Sequence, residues 1–200
     1  MLRDHARGLT VALLVVGAVA AVPAGASGAK KPQPCQPKGS RTITSNSKVR
    51  VYEVGGFNRT VFACTLRNGK RIAIGAYGSC DCSIGDEPQP QVWLNTEAAA
   101  VNEFECPPDG SPCTGNVASY DLRSRVRKYR ESTPGGVVSD LVIKPNASFA
   151  YISGDTVRKA DTAGIGQLDP GPAIEMGSLA RAGSIVYWTK AGAPFSAKLQ

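Results

Sequence analysis

Apolar residues in this chain come in short runs, each closed by Gly, Pro, Asn or Asp, which is the signature of strands and turns rather than of helices. Val49, Val51 and Glu53 alternate with Arg50, Tyr52 and Val54, and Gly55-Gly56 breaks that strand. Thr60 to Leu66 is a nearly continuous apolar strand. Asn68-Gly69 follows as a two-residue hairpin signal of the type I′ kind, in which both central residues need positive φ, and Arg71 to Ile74 is the returning strand. After a Gly, Pro and Asp rich loop from Tyr77 to Gln91, Val92-Trp-Leu94 opens a second unit. Here two local rules disagree. Asn95-Thr-Glu-Ala-Ala-Ala-Val101 would make a capped helix, whereas its position in the pattern asks for a strand over Ala98 to Glu105, and the pattern is preferred. Val117 to Arg123 and Arg125 to Arg130 are two further strands.

The last third of the chain writes one plan twice. Ser139 to Ser153 is an apolar strand, a Pro-Asn turn and a second apolar strand, and Ser178 to Thr189 repeats it with an Ala-Gly turn. Ser148-Phe-Ala-Tyr-Ile-Ser153 and Ser184-Ile-Val-Tyr-Trp-Thr189 share the order hydroxyl, apolar, apolar, Tyr, apolar, hydroxyl. Units opening near Val49, Val92, Ser139 and Ser178 are spaced by about 40 to 45 residues, the length of a four-stranded propeller blade. The turn density excludes helical solenoids of similar period. The expected fold is all-β, about four antiparallel meander units in a small or incomplete β-propeller, with a β-sandwich as the alternative.

The first residues change the picture of where this domain works. Arg3 and Arg7 precede an apolar run from Leu9 to Val22, which is too short to span a bilayer, and Ala24-Gly-Ala26 follows as a small-residue cleavage site. This order is that of a secretory signal peptide. The expected organisation is a signal peptide over residues 1–26, a flexible Pro, Lys and Ser rich arm over 27–47, and one domain over 48–200. No twin arginine and no lipid-anchor pattern accompanies the leader, so the product is expected to be secreted or held non-covalently at the cell surface, with no transmembrane segment.

Cleavage removes His5, the one histidine in the chain. A mature domain without imidazole cannot run a Ser-His-Asp or Cys-His pair and lacks the commonest ligand of catalytic zinc. No cofactor and no metal is implied. The six cysteines, Cys35, Cys64, Cys80, Cys82, Cys106 and Cys113, form an even set in an exported chain and read as disulfides. Cys106 with Cys113 closes a turn-rich loop, and Cys35 with Cys64 ties the arm to the first hairpin. Cys80 and Cys82 would then be left to each other across one residue.

The chain resembles β-propeller repeat proteins of the WD40 and TolB-like kind. Val117-Ala-Ser-Tyr-Asp121 and Val157-Arg-Lys-Ala-Asp161 occupy the place of their Val-x-x-x-Asp third strand. More narrowly it resembles uncharacterised secreted bacterial proteins that combine a Val49-Arg-Val-Tyr52 strand, a Val61-Phe-Ala-Cys64 strand and a C-terminal Gly177-Ser-Leu…Tyr187-Trp-Thr189 segment. The resemblance implies architecture and leaves function open, since propellers host many activities. No unit carries the Trp-Asp dipeptide, and four units are few for a closed ring.

The formal charge of +7 points to acidic partners, which for an exported protein means an anionic wall polymer, or a protein, before nucleic acid. Arg123, Arg125, Arg127 and Tyr129 fall on one face if their segment is a strand, and guanidinium groups beside an aromatic ring can hold phosphates or carboxylates. The competing reading is protection of an outer strand edge by charge. Glu103 with Glu105, and the loop acids Asp81, Asp86 and Glu87, match no catalytic or calcium spacing and read as solvated acids. Two functions from different classes follow: a non-enzymatic exported binding module, and, as the alternative, a small secreted carboxylate-dependent hydrolase.

Overall fold

A computed structural model describes residues 35–56, 58–77, 90–105, 114–133 and 136–200. The proposed leader, the loop cysteines Cys80, Cys82, Cys106 and Cys113, and Asp81, Asp86 and Glu87 lie outside the described residues. Residues from Pro32 to Gln200 form one compact unit. Fifteen strands and no helix are present among the described residues, so none there is long and apolar enough to cross a membrane.

The strands make four antiparallel meanders in chain order. The first sheet is β1 (Arg41–Ser45), β2 (Val49–Val54), β3 (Arg59–Thr65) and β4 (Arg71–Tyr77). The second is β5 (Gln91–Asn95), β6 (Ala98–Glu105), β7 (Thr114–Asp121) and β8 (Val126–Thr133). The third is β9 (Asp140–Ile143), β10 (Phe149–Ser153), β11 (Thr156–Asp161) and β12 (Gly164–Asp169). The fourth has three strands, β13 (Ala180–Ala182), β14 (Ile185–Lys190) and β15 (Ala193–Lys198). None of the sheets closes on itself.

Each sheet packs face to face on the next, and this explains the apolar runs. Val49, Val51, Val61 and Ile74 of the first sheet meet Ala99 and Val101 of the second. The opposite face of β6 presents Ala98 and Ala100 to Phe149 and Tyr151 of the third sheet. Ala150 and Ile152, on the other side of the fully buried β10, meet Val186 and Trp188 of the fourth. A strand buried on both faces needs apolar residues at consecutive positions rather than alternation.

The alanine run shows why strand wins over helix. Ala98 through Val101 are all fully buried and pair residue for residue with β7 from Asp121 to Ala118. Small side chains on β6 leave room for the large rings of Phe149 and Tyr151 across the interface. A helix there would leave those rings without a close-packed partner, so tertiary packing overrides local propensity.

Three expectations are corrected. Residues 41–45, read as part of a flexible arm, are strand β1, paired with β2 from Arg41↔Glu53 to Ser45↔Arg50. Its Arg-Thr-Ile-Thr-Ser sequence looks like linker because an edge strand with mostly exposed residues needs little apolar content. The first unit consequently has four strands rather than three. At the Asn-Gly hairpin only Gly69 takes positive φ, 67°, and its N–H donates to Thr65 O at 2.9 Å. The connection is a four-residue loop, not the two-residue type I′ turn.

The arm is held where the sequence placed it. Cys35 and Cys64 form a disulfide with Cα atoms 5.7 Å apart. The buried Arg50 guanidinium donates to Cys35 O, to Thr42 Oγ1 at 2.8 Å and to Ser40 Oγ at 3.3 Å, and it lies 5.1 Å from the Tyr52 ring centre. On the outward face of the first sheet Cys35 thereby packs with Tyr52 and Cys64.

Candidate functional site

In a meander the first and third turns of every sheet fall at the same end, so residues far apart in sequence share a rim. At this end of the first sheet lie the β1–β2 turn with Lys48 and the β3–β4 loop with Arg67 and Lys70, joined by Leu66 N–H donating to Lys48 O at 2.8 Å. The second sheet brings Thr96-Glu97 and the β7–β8 turn 122–125, joined by Leu122 N–H donating to Glu97 O at 2.9 Å. Asn46 binds the two sheets together. Its Oδ1 accepts from Lys48 N–H and Val49 N–H at 2.8 and 2.9 Å, and its Nδ2 donates across the gap to Thr96 O at 3.1 Å.

Charge accumulates on this rim. Lys48, Arg67, Lys70, Arg123 and Arg125 are all exposed. The acids beside them are already engaged. Asp121 Oδ1 accepts from the Arg123 N–H at 3.0 Å and its Oδ2 from Ser124 Oγ at 2.9 Å, which shapes the turn. Asp161 caps the matching turn of the third sheet in the same manner, accepting from Ala163 N–H at 2.9 Å. Glu97 accepts from Arg123 Nε at 2.6 Å. Its carboxyl is held below the ordinary range first by that hydrogen bond, which outweighs the opposing effect of burial, and then by the charges of Arg123, Lys48 and Arg67. Lys48, Arg67, Lys70 and Arg125 pair with no acid among the described residues.

The four site residues expected from sequence are only partly brought together. Arg123 and Arg125 lie in the turn, Arg125 with φ of 58°, and belong to the rim. Arg127 and Tyr129 lie in β8, where a bulge between the pairs Tyr120↔Arg127 and Ser119↔Tyr129 sends them to opposite faces. Arg127 stands opposite Tyr120, on the side of the first sheet. Tyr129 packs toward the third sheet, edge-on to Phe149 with ring centres 6.4 Å apart. The expectation that all four share one face is therefore corrected: a turn and a bulge interrupt the alternation on which it rested.

Lys48, Arg67, Lys70, Asn46 and Glu97 were not singled out from the sequence, and the signal for them was the strand count. With β1 recognised as a strand, the Asn46 turn falls on the same end as the Arg67 and Arg123 turns. Glu103 sits on the face of β6 toward the first sheet, with Oε1 3.2 Å from where a Gly75 Cβ would stand, so it is packed against backbone rather than freely solvated. The Glu105 side chain lies outside the described residues. Among the described residues no three His, Cys, Asp or Glu side chains gather as metal ligands.

No family model matches the chain, and no curated protein matches it. Among solved structures the chain is similar to the extracellular domain of a candidate one-component system from B. thetaiotaomicron, at a TM-score of 0.37 and 9% identity, over 78% of this chain. The chain spans 20% of the length of that protein chain.

Proposed function

We propose that this protein is an exported, non-enzymatic binding module for an anionic polymer of the cell envelope, held at the basic rim of the first two sheets. The observation that carries the reading is the rim itself: five cations on turns of two hydrogen-bonded sheets, with Glu97 and Asp121 already engaged by Arg123 and by turn donors. Guanidinium and ammonium groups without acidic partners recognise phosphate or carboxylate oxygens, the former in bidentate geometry. The Cys35–Cys64 disulfide favours an oxidising compartment. The reading treats the four sheets as blades of an incomplete propeller, supported by the succession of face-to-face sheets and by the neighbouring first strands β1, β5 and β9.

Binding of a polyglycerol-phosphate wall polymer, followed by titration calorimetry across a salt series, tests this. Exposed charges are screened over a Debye length of about 8 Å at physiological salt, so affinity is expected to fall steeply as salt rises. Arg67→Ser with Arg125→Ser is expected to weaken binding at least about tenfold with the melting temperature nearly unchanged, because both side chains are exposed and neither makes a hydrogen bond or ion pair among the described residues. Unchanged polymer binding by that double variant would refute the rim. Edge protection by charge would fall instead to Arg127, Lys128 and Arg130, which lie on the outer strand β8.

A further inference from the structure

At the opposite end of the first sheet, roughly 20 Å along the strands from the rim by the rise per residue, three polar side chains converge on one buried carboxylate. Glu53 is 4% exposed. Its Oε1 accepts from Arg41 Nε and from Arg59 Nη1, the latter at 3.1 Å, and its Oε2 accepts from the Tyr77 hydroxyl. Arg59 is fixed a second time by its Nε, which donates to Gly56 O at 3.2 Å, and its guanidinium carbon lies 5.8 Å from the Tyr77 ring centre.

The register explains the convergence. Arg41 pairs directly with Glu53 on β1 and β2, and Arg59 pairs with Tyr77 on β3 and β4, so all four stand at one end of the sheet. Both carboxylate oxygens are occupied. The two guanidinium groups are not: Nη1 and Nη2 of Arg41 and Nη2 of Arg59 have no partner among the described residues. These groups border a cleft of about 250 Å³ lined by Gly39, Arg41, Glu53, Gly55 and Arg59. Gly39 and Gly55, with φ of 77° and 126°, add no side chain to its mouth. At Gly55 a Cβ would stand 2.2 Å from Asn58 O, so no other residue fits there without a shift.

We propose that this cleft binds a small ligand through its carboxylate. Two guanidinium charges against one carboxylate leave one positive charge, which matches a monoanion. Each arginine can meet one carboxylate oxygen, extending the alternation of acid and guanidinium that Glu53 begins, and a planar fork held by other bonds loses little freedom on binding. The volume lies below the roughly 300–1,000 Å³ of drug-sized pockets, which suits a single acidic sugar. The long anionic polymer of the rim would not enter it.

Calorimetry and amide chemical-shift mapping with glucuronate, glucose and inorganic phosphate test this directly. Glucuronate is expected to bind with shifts centred on Gly39, Gly55 and Arg59, and glucose is not. Arg41→Gln should weaken glucuronate at least about tenfold with the melting temperature retained, since the Arg41 side chain is 55% exposed. The Arg67→Ser, Arg125→Ser variant should leave it untouched, which separates this site from the rim. Absence of glucuronate binding at about 10 mM, where even the weakest specific site would register, overturns the proposal. So does phosphate binding at equal strength, or affinity that survives Arg41→Gln.

Discussion

Removing the Cys35–Cys64 bond, by Cys35→Ser together with Cys64→Ser, is the perturbation with the clearest magnitude. The bond closes a loop with a sequence separation of 29, and it spans β1, β2 and most of β3. In the chain-entropy treatment a loop of that length restricts the unfolded chain by about 3.6 kcal/mol at 25 °C. For a domain of this size each kcal/mol moves the melting temperature by roughly 2–4 °C, so a fall of roughly 7–14 °C is expected. The double variant is preferable to a reductant, which would also reach Cys80, Cys82, Cys106 and Cys113. Calorimetry supplies the melting temperature. Arg50→Gln in the same background separates covalent from non-covalent tethering, because Arg50 holds Cys35 O, Ser40 and Thr42 independently of sulfur. A fall below about 3 °C, under half the lower bound just given, would refute the reasoning. It would show that the arm is already ordered in the unfolded ensemble or that Arg50 alone docks it.

Two acids at sheet interfaces are expected to respond to pH with opposite sign. Burial pushes the Asp169 carboxyl up, but Lys190 Nζ at 2.6 Å and Trp188 Nε1 at 3.0 Å outweigh it and hold it below its ordinary 3.8. Its stabilisation is present above that value and is lost as pH falls through the lower folded-state value, so the deficit of Asp169→Asn in pH-dependent melts should shrink in acid. Glu131 is the reverse: burial raises its carboxyl above 4.5, and the opposing Arg158 and Tyr151 do not compensate. The charged form costs stability above the raised value and the cost vanishes as pH falls, so wild type should gain on Glu131→Gln between pH 7 and 4. A fourth test is steric. An alanine Cβ at Gly115 would stand 2.4 Å from Gly136 O and 2.2 Å from Thr133 Oγ1, so Gly115→Ala should cost about 1–3 kcal/mol in chemical denaturation. Gly166→Ala, with nothing within 4 Å, should be tolerated.

The fold was legible wherever a strand is covered on both faces. Phe149 to Ile152 and Ala98 to Val101 are continuous apolar runs because a neighbouring sheet lies on either side. It was not legible at the edges. Arg41 to Ser45 carries a single large apolar residue, Ile43, since one side of β1 has no strand beside it. The candidate rim suffered from the same gap, because missing β1 hides which turns share an end. The bulge in β8 left no mark in Arg-Lys-Tyr-Arg, and there the rule of alternation gave the wrong face for Tyr129.

The joints between sheets bear on what the rim can do. Successive sheets are tied at their first strands by amides, Asn46 Nδ2 to Thr96 O at 3.1 Å and Asn95 Nδ2 to Ile143 O at 2.7 Å. Ion pairs tie the later sheets as well, Arg158 Nε of β11 to Glu131 of β8 at 2.6 Å and Lys190 of β14 to Asp169 of β12 at 2.6 Å. An apolar cluster fills the space between each sheet and the next. A part-buried amide or ion pair adds little net stability compared with apolar packing, but its directional geometry favours one register and so helps to fix how one sheet sits on the next. Turns carried by such sheets hold their cations at set distances before any ligand arrives. Binding then orders side chains rather than loops, which is the smaller entropic cost. A surface without a deep cavity can therefore still select an anionic polymer by the spacing of its charges.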